Sequence, residues 1–248
     1  MTQTKQLRSD HAATYESGLA SWIHKNRLKH LTDVLDMLDL DPSGELCDLG
    51  CSDGFILSQL RDLPALGSWS FNGFDNKQHH IDAAVRRPIG NTEFGIADLN
   101  LPTTELHGRF DLVLCLETLE HVGSFRSGLK NVLKAGRPGA HVVISVPNET
   151  GPAGLVKYLG RRLTRHNPYG DFFKTRSERE YVIDLVRGRP LDLYRQPERW
   201  GWGPHLGFDL HVFEQHLTDT YLGDHCDLIE RRKTGALGFN VFYVLKVH

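Results

Sequence analysis

Between residues 45 and 147 short apolar runs alternate with stretches of helical periodicity, and this rhythm restricts the fold more than any other feature of the chain. ELCDLG, WSFNGFD, TEFGIAD, FDLVLCL and the end of GRPGAHVVISVPN read as buried strands. GFILSQLRDL, KQHHIDAAVRR and residues 125–134 read as the helices between them. Strands joined through helices cannot pair as hairpins, so they lie parallel with helices on both faces of the sheet. CDLIERRK and LGFNVFYVLKV follow as two final strands joined by a glycine-containing turn, which makes the last strand antiparallel. The predicted fold is therefore α/β, a Rossmann-like doubly wound sheet, mostly parallel.

Two segments lie outside this rhythm. Residues 15–40 carry Trp22, Leu28, Leu31, Leu35 and Leu38 at helical spacing and predict a helix ahead of the core. Residues 149–203 hold many Gly, Pro, Arg and aromatic residues and no strand pattern, so they read as a helical insertion after the fifth strand. With 248 residues, 40% of them hydrophobic, the chain can bury one full-sized core. It is expected to be a single domain, 1–248, with an N-terminal helical segment at 1–40 and a lid or acceptor-binding segment at 149–203. The four cysteines include no Cys-x-x-Cys pair and sit mostly in apolar runs, which argues against structural zinc. The polar start and the lack of any long apolar window predict a soluble, cytoplasmic protein. A formal charge of -2 offers no global field for long nucleic acid.

CDLGCSDG places glycines 50 and 54 between the first strand and the first helix of the sheet, where open parallel sheets bind ligands. A dinucleotide fingerprint requires glycines at 52 and 55, but Ser52 and Phe55 stand there, and no Lys-Ser or Lys-Thr follows to make a phosphate loop. Asp75 ends the second strand, where an acid can accept ribose hydroxyls. Singly, these glycines and acids could be turn and cap residues. Together, Asp48, Gly50, Ser52 and Gly54, then Asp75, then Asp98 in IADLN, resemble the successive motifs of the class I S-adenosylmethionine-dependent methyltransferases, with Ser52 for the middle glycine. The resemblance implies that the loop holds S-adenosylmethionine, that Asp75 takes its ribose, and that Asp98 with the backbone amide of Leu99 holds its adenine. Leu116, at the end of the fourth strand, is expected to line the same cofactor.

The stretch CLETLEHV then carries a chain from mid-sheet straight to Glu117, Glu120 and His121. A helix starting at Thr118 would put these three on one face, where two carboxylates and an imidazole suit a divalent cation. On the residues alone, a capping acid and a core histidine explain the stretch equally well. It resembles the corresponding unit of the ubiquinone-biosynthesis O-methyltransferases and the small-RNA 3′-terminal 2′-O-methyltransferases, which implies a metal site of Glu117, Glu120, His121 and His205 holding magnesium or manganese. Without metal, His121 or His205 would be the general base, with Glu117 beside them. The expected activity is O-methylation of a small-molecule or glycan-like hydroxyl. RNA 2′-O-methylation and a non-catalytic cofactor-binding subunit are the alternatives. Basic and aromatic residues of the insertion could grip an anionic or stacking acceptor, and GLVKYLGRRL could rest on a membrane surface.

Overall fold

The computed structural model describes residues 18–163, 177–195, 207–235 and 238–248, with the side chains of 18–26 excepted. It divides into two compact units, residues 1–97 and 98–248.

The first unit opens with helix α1 (Gly18–Leu35), which ends before the 15–40 pattern does. Three parallel strands follow, β1 (Glu45–Leu49), β2 (Ser70–Asp75) and β3 (Thr92–Ile96), in spatial order β3-β2-β1. Asp48 faces Gly73 in register, and Gly73 faces Phe94. Because the strands are parallel, all three finish at one edge. Helix α2 (Phe55–Leu60) leaves β1 and helix α3 (Gln78–Val85) leaves β2. Gly54 starts α2 at φ +73°, and a Cβ there would press within 3.2 Å of Ala84 Cβ and 3.1 Å of Phe94 Cζ. Glycine is required both by the left-handed backbone and by this close approach.

The second unit carries β4 (Phe110–Leu116), helix α4 (Phe125–Ala135) and β5 (Gly136–Pro147), then the inserted helices α5 (Gly151–Leu163) and α6 (Glu178–Arg187). Helix α7 (Leu210–Thr220), β6 (Cys226–Lys233) and β7 (Asn240–Val247) complete it, in strand order β4-β5-β7-β6. β4 and β5 are parallel, and β7 is antiparallel to both of its neighbours, as the strand pattern predicts. β4 and the latter half of β5 are buried almost throughout, which is why they read as continuous apolar runs rather than as alternating ones. The two units supply the seven strands of a mostly parallel, Rossmann-like fold.

The insertion has a core of its own, Tyr158, Tyr181, Leu185, Leu191 and Tyr194. Helices α5 and α6 approach so closely at Gly154 that a Cβ there would lie 2.2 Å from Glu149 O and 2.8 Å from Leu185 Cδ1. Asp209 ties the insertion to the helix after it. One carboxylate oxygen caps α7 by accepting from His211 N at 2.8 Å, and the other accepts from Leu191 N at 2.7 Å. Among the described residues no helix is long and apolar enough to cross a membrane.

Candidate active site

In the first unit the turn after β1 is held by its own backbone. Gly50 N–H and Cys51 N–H donate to Phe74 O, and Gly54 N–H donates to Cys51 O. Ser52 N–H donates to Asp75 Oδ2 at 3.1 Å. Gly50 and Ser52 both have positive φ, +93° and +50°. A phosphate-binding loop works by aiming unsatisfied N–H groups at the anion. Here those at 50, 51, 52 and 54 are already engaged, so the turn suits a nucleoside ligand without a pyrophosphate. The buried Ser52 Oγ, in turn, has no hydrogen-bond partner among the described residues.

Asp75, at the end of β2, receives Lys77 N–H at 2.9 Å and His80 Nδ1 at 3.0 Å on Oδ1. Burial alone would push its carboxyl up. The hydrogen bonds from His80 and Lys77, the attraction of His80 and the bond from Ser52 outweigh burial and hold the group below its ordinary range. Asp48 moves the other way: fully enclosed in β1, and repelled by Asp75, its carboxyl is pushed up to about 7. Burial pushes the Cys51 thiol up as well, with Asp48 and Asp75 adding to the effect, which removes it as a nucleophile. Asp53 anchors the turn from behind, accepting Arg87 Nη2 on its carboxylate and Arg87 Nε on its carbonyl.

In the second unit Asp98 closes a local turn, its Oδ1 accepting from Asn100 N–H at 2.9 Å and Asn100 Nδ2 at 2.7 Å. Leu99 is buried, and its carbonyl accepts from Asn131 Nδ2 at 3.1 Å. Leu116 is buried at the end of β4. The chain does not turn α-helical at Thr118. Glu117 adopts a left-handed backbone, φ +51°, and Leu119–His121 form one turn of 3-10 helix that ends at an extended Val122. The shared helix face expected for Glu117, Glu120 and His121 is therefore absent, because the left-handed residue breaks helical geometry before it starts.

The motif side chains take up separate surroundings. Glu117 Oε1 accepts from Ser145 Oγ at 2.9 Å, and Glu117 N–H donates to Ser145 O at 2.9 Å, so β5 holds both ends of this residue. Glu120 is fully buried, and its Oε1 lies 3.9 Å from His121 Nε2, whose side chain is 39% exposed. Arg195 Nη2 donates to Glu120 O at 2.9 Å and Val122 O at 2.7 Å, clamping the turn from the insertion. Among the described residues no group of three His, Cys, Asp or Glu side chains forms that could hold a metal. His205, the fourth residue of the expected metal set, lies outside the described residues.

Within the insertion the described aromatic and basic side chains have partners of their own. Tyr158, Tyr181 and Tyr194 are buried against one another. Lys157 and Arg161 both pair with the buried Glu149, Arg162 pairs with Glu178, and Arg189 pairs with Asp184. Tyr169, Phe172, Phe173, Trp200 and Trp202 lie outside the described residues.

Sequence reasoning missed His80, Ser145 and Arg195 as supports of the site. His80 was visible only as part of a helix, five residues beyond Asp75. Ser145 and Arg195 reach their partners across 28 and 75 positions of sequence, with no local pattern to reveal them.

Comparison with known proteins agrees with this geometry. A family model described as "Methyltransferase domain" matches residues 22–182. The ubiquinone biosynthesis O-methyltransferase of Rickettsia bellii is 26% identical over 147 residues, 57% of this chain and 58% of that protein. Its counterpart in Pseudoalteromonas translucida is 32% identical over 131 residues, 51% of this chain and 53% of that one. The matched region thus spans little more than half the length of these relatives. Magnesium protoporphyrin IX methyltransferase from Synechocystis, solved with bound SAH, superposes with a TM-score of 0.60 at 15% identity, covering 95% of this chain and 91% of that one. The chain belongs to the methyltransferase domain family, with the class I fold of its S-adenosylmethionine-dependent members.

Proposed function

We propose that the chain is an S-adenosylmethionine-dependent O-methyltransferase whose acceptor is a hydroxyl on a small-molecule or glycan-like substrate. The observation that carries this reading is the Asp75 carboxylate, fixed against a glycine turn whose N–H groups are already engaged. A ribose hydroxyl can donate to such an acid, whereas a pyrophosphate would find few donors in the turn. Support for oxygen as the acceptor atom comes from the relatives named O-methyltransferases.

Bound S-adenosylmethionine supplies an electrophilic methyl carbon on a cationic sulfur. In this reading Asp75 holds the ribose and the Gly50–Gly54 turn covers the nucleoside. His121, whose side chain is 39% exposed, accepts the acceptor's hydroxyl proton as oxygen attacks. The buried Glu120 beside it favours the imidazolium that results. Alignment of the oxygen behind the methyl group supplies much of the remaining acceleration. No step of this chemistry runs through a cation. Metal assistance by Glu117, Glu120, His121 and His205 is a separate proposal, and full activity in chelator removes it.

Peripheral membrane contact through α5 belongs to the same proposal. Val156, Leu159 and Leu163 are exposed at helical spacing, 84% in the case of Leu163, beside Arg162. Flotation with anionic vesicles tests it, and failure to float removes it.

The test of the activity is incubation with methyl-labelled S-adenosylmethionine and a panel of quinone precursors, glycans and RNA 3′ ends. The expected result is label on a hydroxyl of one of the first two classes. Cofactor binding without transfer to any fraction would instead favour a non-catalytic subunit.

A further inference from the structure

We propose that His80 is a positioning residue for the cofactor ribose: it fixes the plane of the Asp75 carboxylate and leaves one acceptor position for the ligand. This rests on the reading that Asp75 receives the ribose. An ionised carboxylate offers about four acceptor positions. Two are filled on Oδ1, by Lys77 N–H at 2.9 Å and His80 Nδ1 at 3.0 Å. Ser52 N–H fills one on Oδ2, at 3.1 Å. Among the described residues the remaining position is on Oδ2. From its resting state the acid therefore takes one ribose hydroxyl.

His80 is suited to this task by where it sits. It lies in the first turn of α3, five residues past Asp75, with its side chain 12% exposed and that of Asp75 10% exposed. The ring stacks edge-on to His79, with centroids 4.4 Å apart. Because the carboxylate can only accept, Nδ1 carries the hydrogen, whether the ring is neutral or charged. The terminal torsion of an aspartate is broad. Lys77 N–H and Ser52 N–H bond different oxygens of the acid, and the ring adds the donor that stops the carboxylate from rocking between them.

The test is calorimetric titration of S-adenosylhomocysteine into the full chain and its His80→Ala and His80→Asn variants, with melting temperatures measured without ligand. An asparagine amide can place N–H where Nδ1 stood, whereas alanine cannot. His80→Ala is expected to bind about tenfold more weakly, and His80→Asn within about threefold of wild type. The wild type should also lose more affinity for one of the 2′-deoxy and 3′-deoxy analogues than for the other, and His80→Ala should narrow that difference. Wild-type affinity in His80→Ala overturns the role, as does weak binding by His80→Asn at a wild-type melting temperature. If His80→Ala does not fold, His80→Asn decides alone. A wild type that binds no S-adenosylhomocysteine overturns the cofactor reading itself and this role with it.

Discussion

Replacing Asp48 by asparagine should change how stability depends on pH, by an amount the structure sets. The side chain is enclosed in β1, and its carboxyl is pushed from 3.8 to about 7 by burial, with the charge of Asp75 adding to it. A native pKa above the unfolded one means that the folded state keeps its proton longer. The contribution is therefore fullest below 3.8 and is lost as pH rises, until it levels off above about 7. Across that whole gap, at about 1.36 kcal/mol per pH unit, the loss is about 4 kcal/mol. Most of it, about 2 to 3 kcal/mol, falls between pH 5 and pH 8. Asparagine cannot titrate, so Asp48→Asn should be free of this loss while every other titration is retained. Urea unfolding of both proteins at pH 5, 6, 7 and 8 measures the difference directly. The variant should gain on the wild type by roughly 2 to 3 kcal/mol over that range. Parallel stability curves would refute the reasoning, because they would mean that the native acid is already ionised at pH 5.

Other consequences can be measured as readily. Ser52→Gly should stabilise the chain by about 1 kcal/mol, since glycine takes φ +50° without the left-handed penalty and no hydroxyl is left buried. Denaturation would show the gain, and S-adenosylhomocysteine affinity should stay within a few-fold because the bond to Asp75 comes from the backbone N–H. Gly154→Ala should destabilise by at least about 2 kcal/mol, as its Cβ would collide with the Glu149 carbonyl, and melting should reveal the loss. Once an acceptor is known, His121→Ala should lower turnover about 10²- to 10⁴-fold with cofactor affinity unchanged, while an unchanged turnover would remove the proposed base.

The fold was legible because its signals are local. β1, β4 and the latter half of β5 are short buried runs set off by turn residues, and the composition of CDLIERRK and LGFNVFYVLKV marks the closing pair of strands. The turn proposed for the cofactor could be placed for a related reason: Gly50, Ser52, Gly54 and Asp75 sit at strand ends, and the strand alternation locates those. The motif at Glu117 was legible in composition but not in conformation. Helical spacing assumed a right-handed start, and a left-handed Glu117 cannot be read from a glutamate. In the insertion, Glu149 takes Lys157 and Arg161 and backbone carbonyls take Arg195, partners that only the fold supplies.

The most direct test of the central claim is competitive calorimetry with S-adenosylhomocysteine and NAD on the wild-type chain. A turn whose N–H groups are satisfied internally and whose neighbouring acid is held ready should bind the first with micromolar or better affinity and leave the second unbound. Binding of NAD, or no heat from S-adenosylhomocysteine at high protein concentration, would contradict the account.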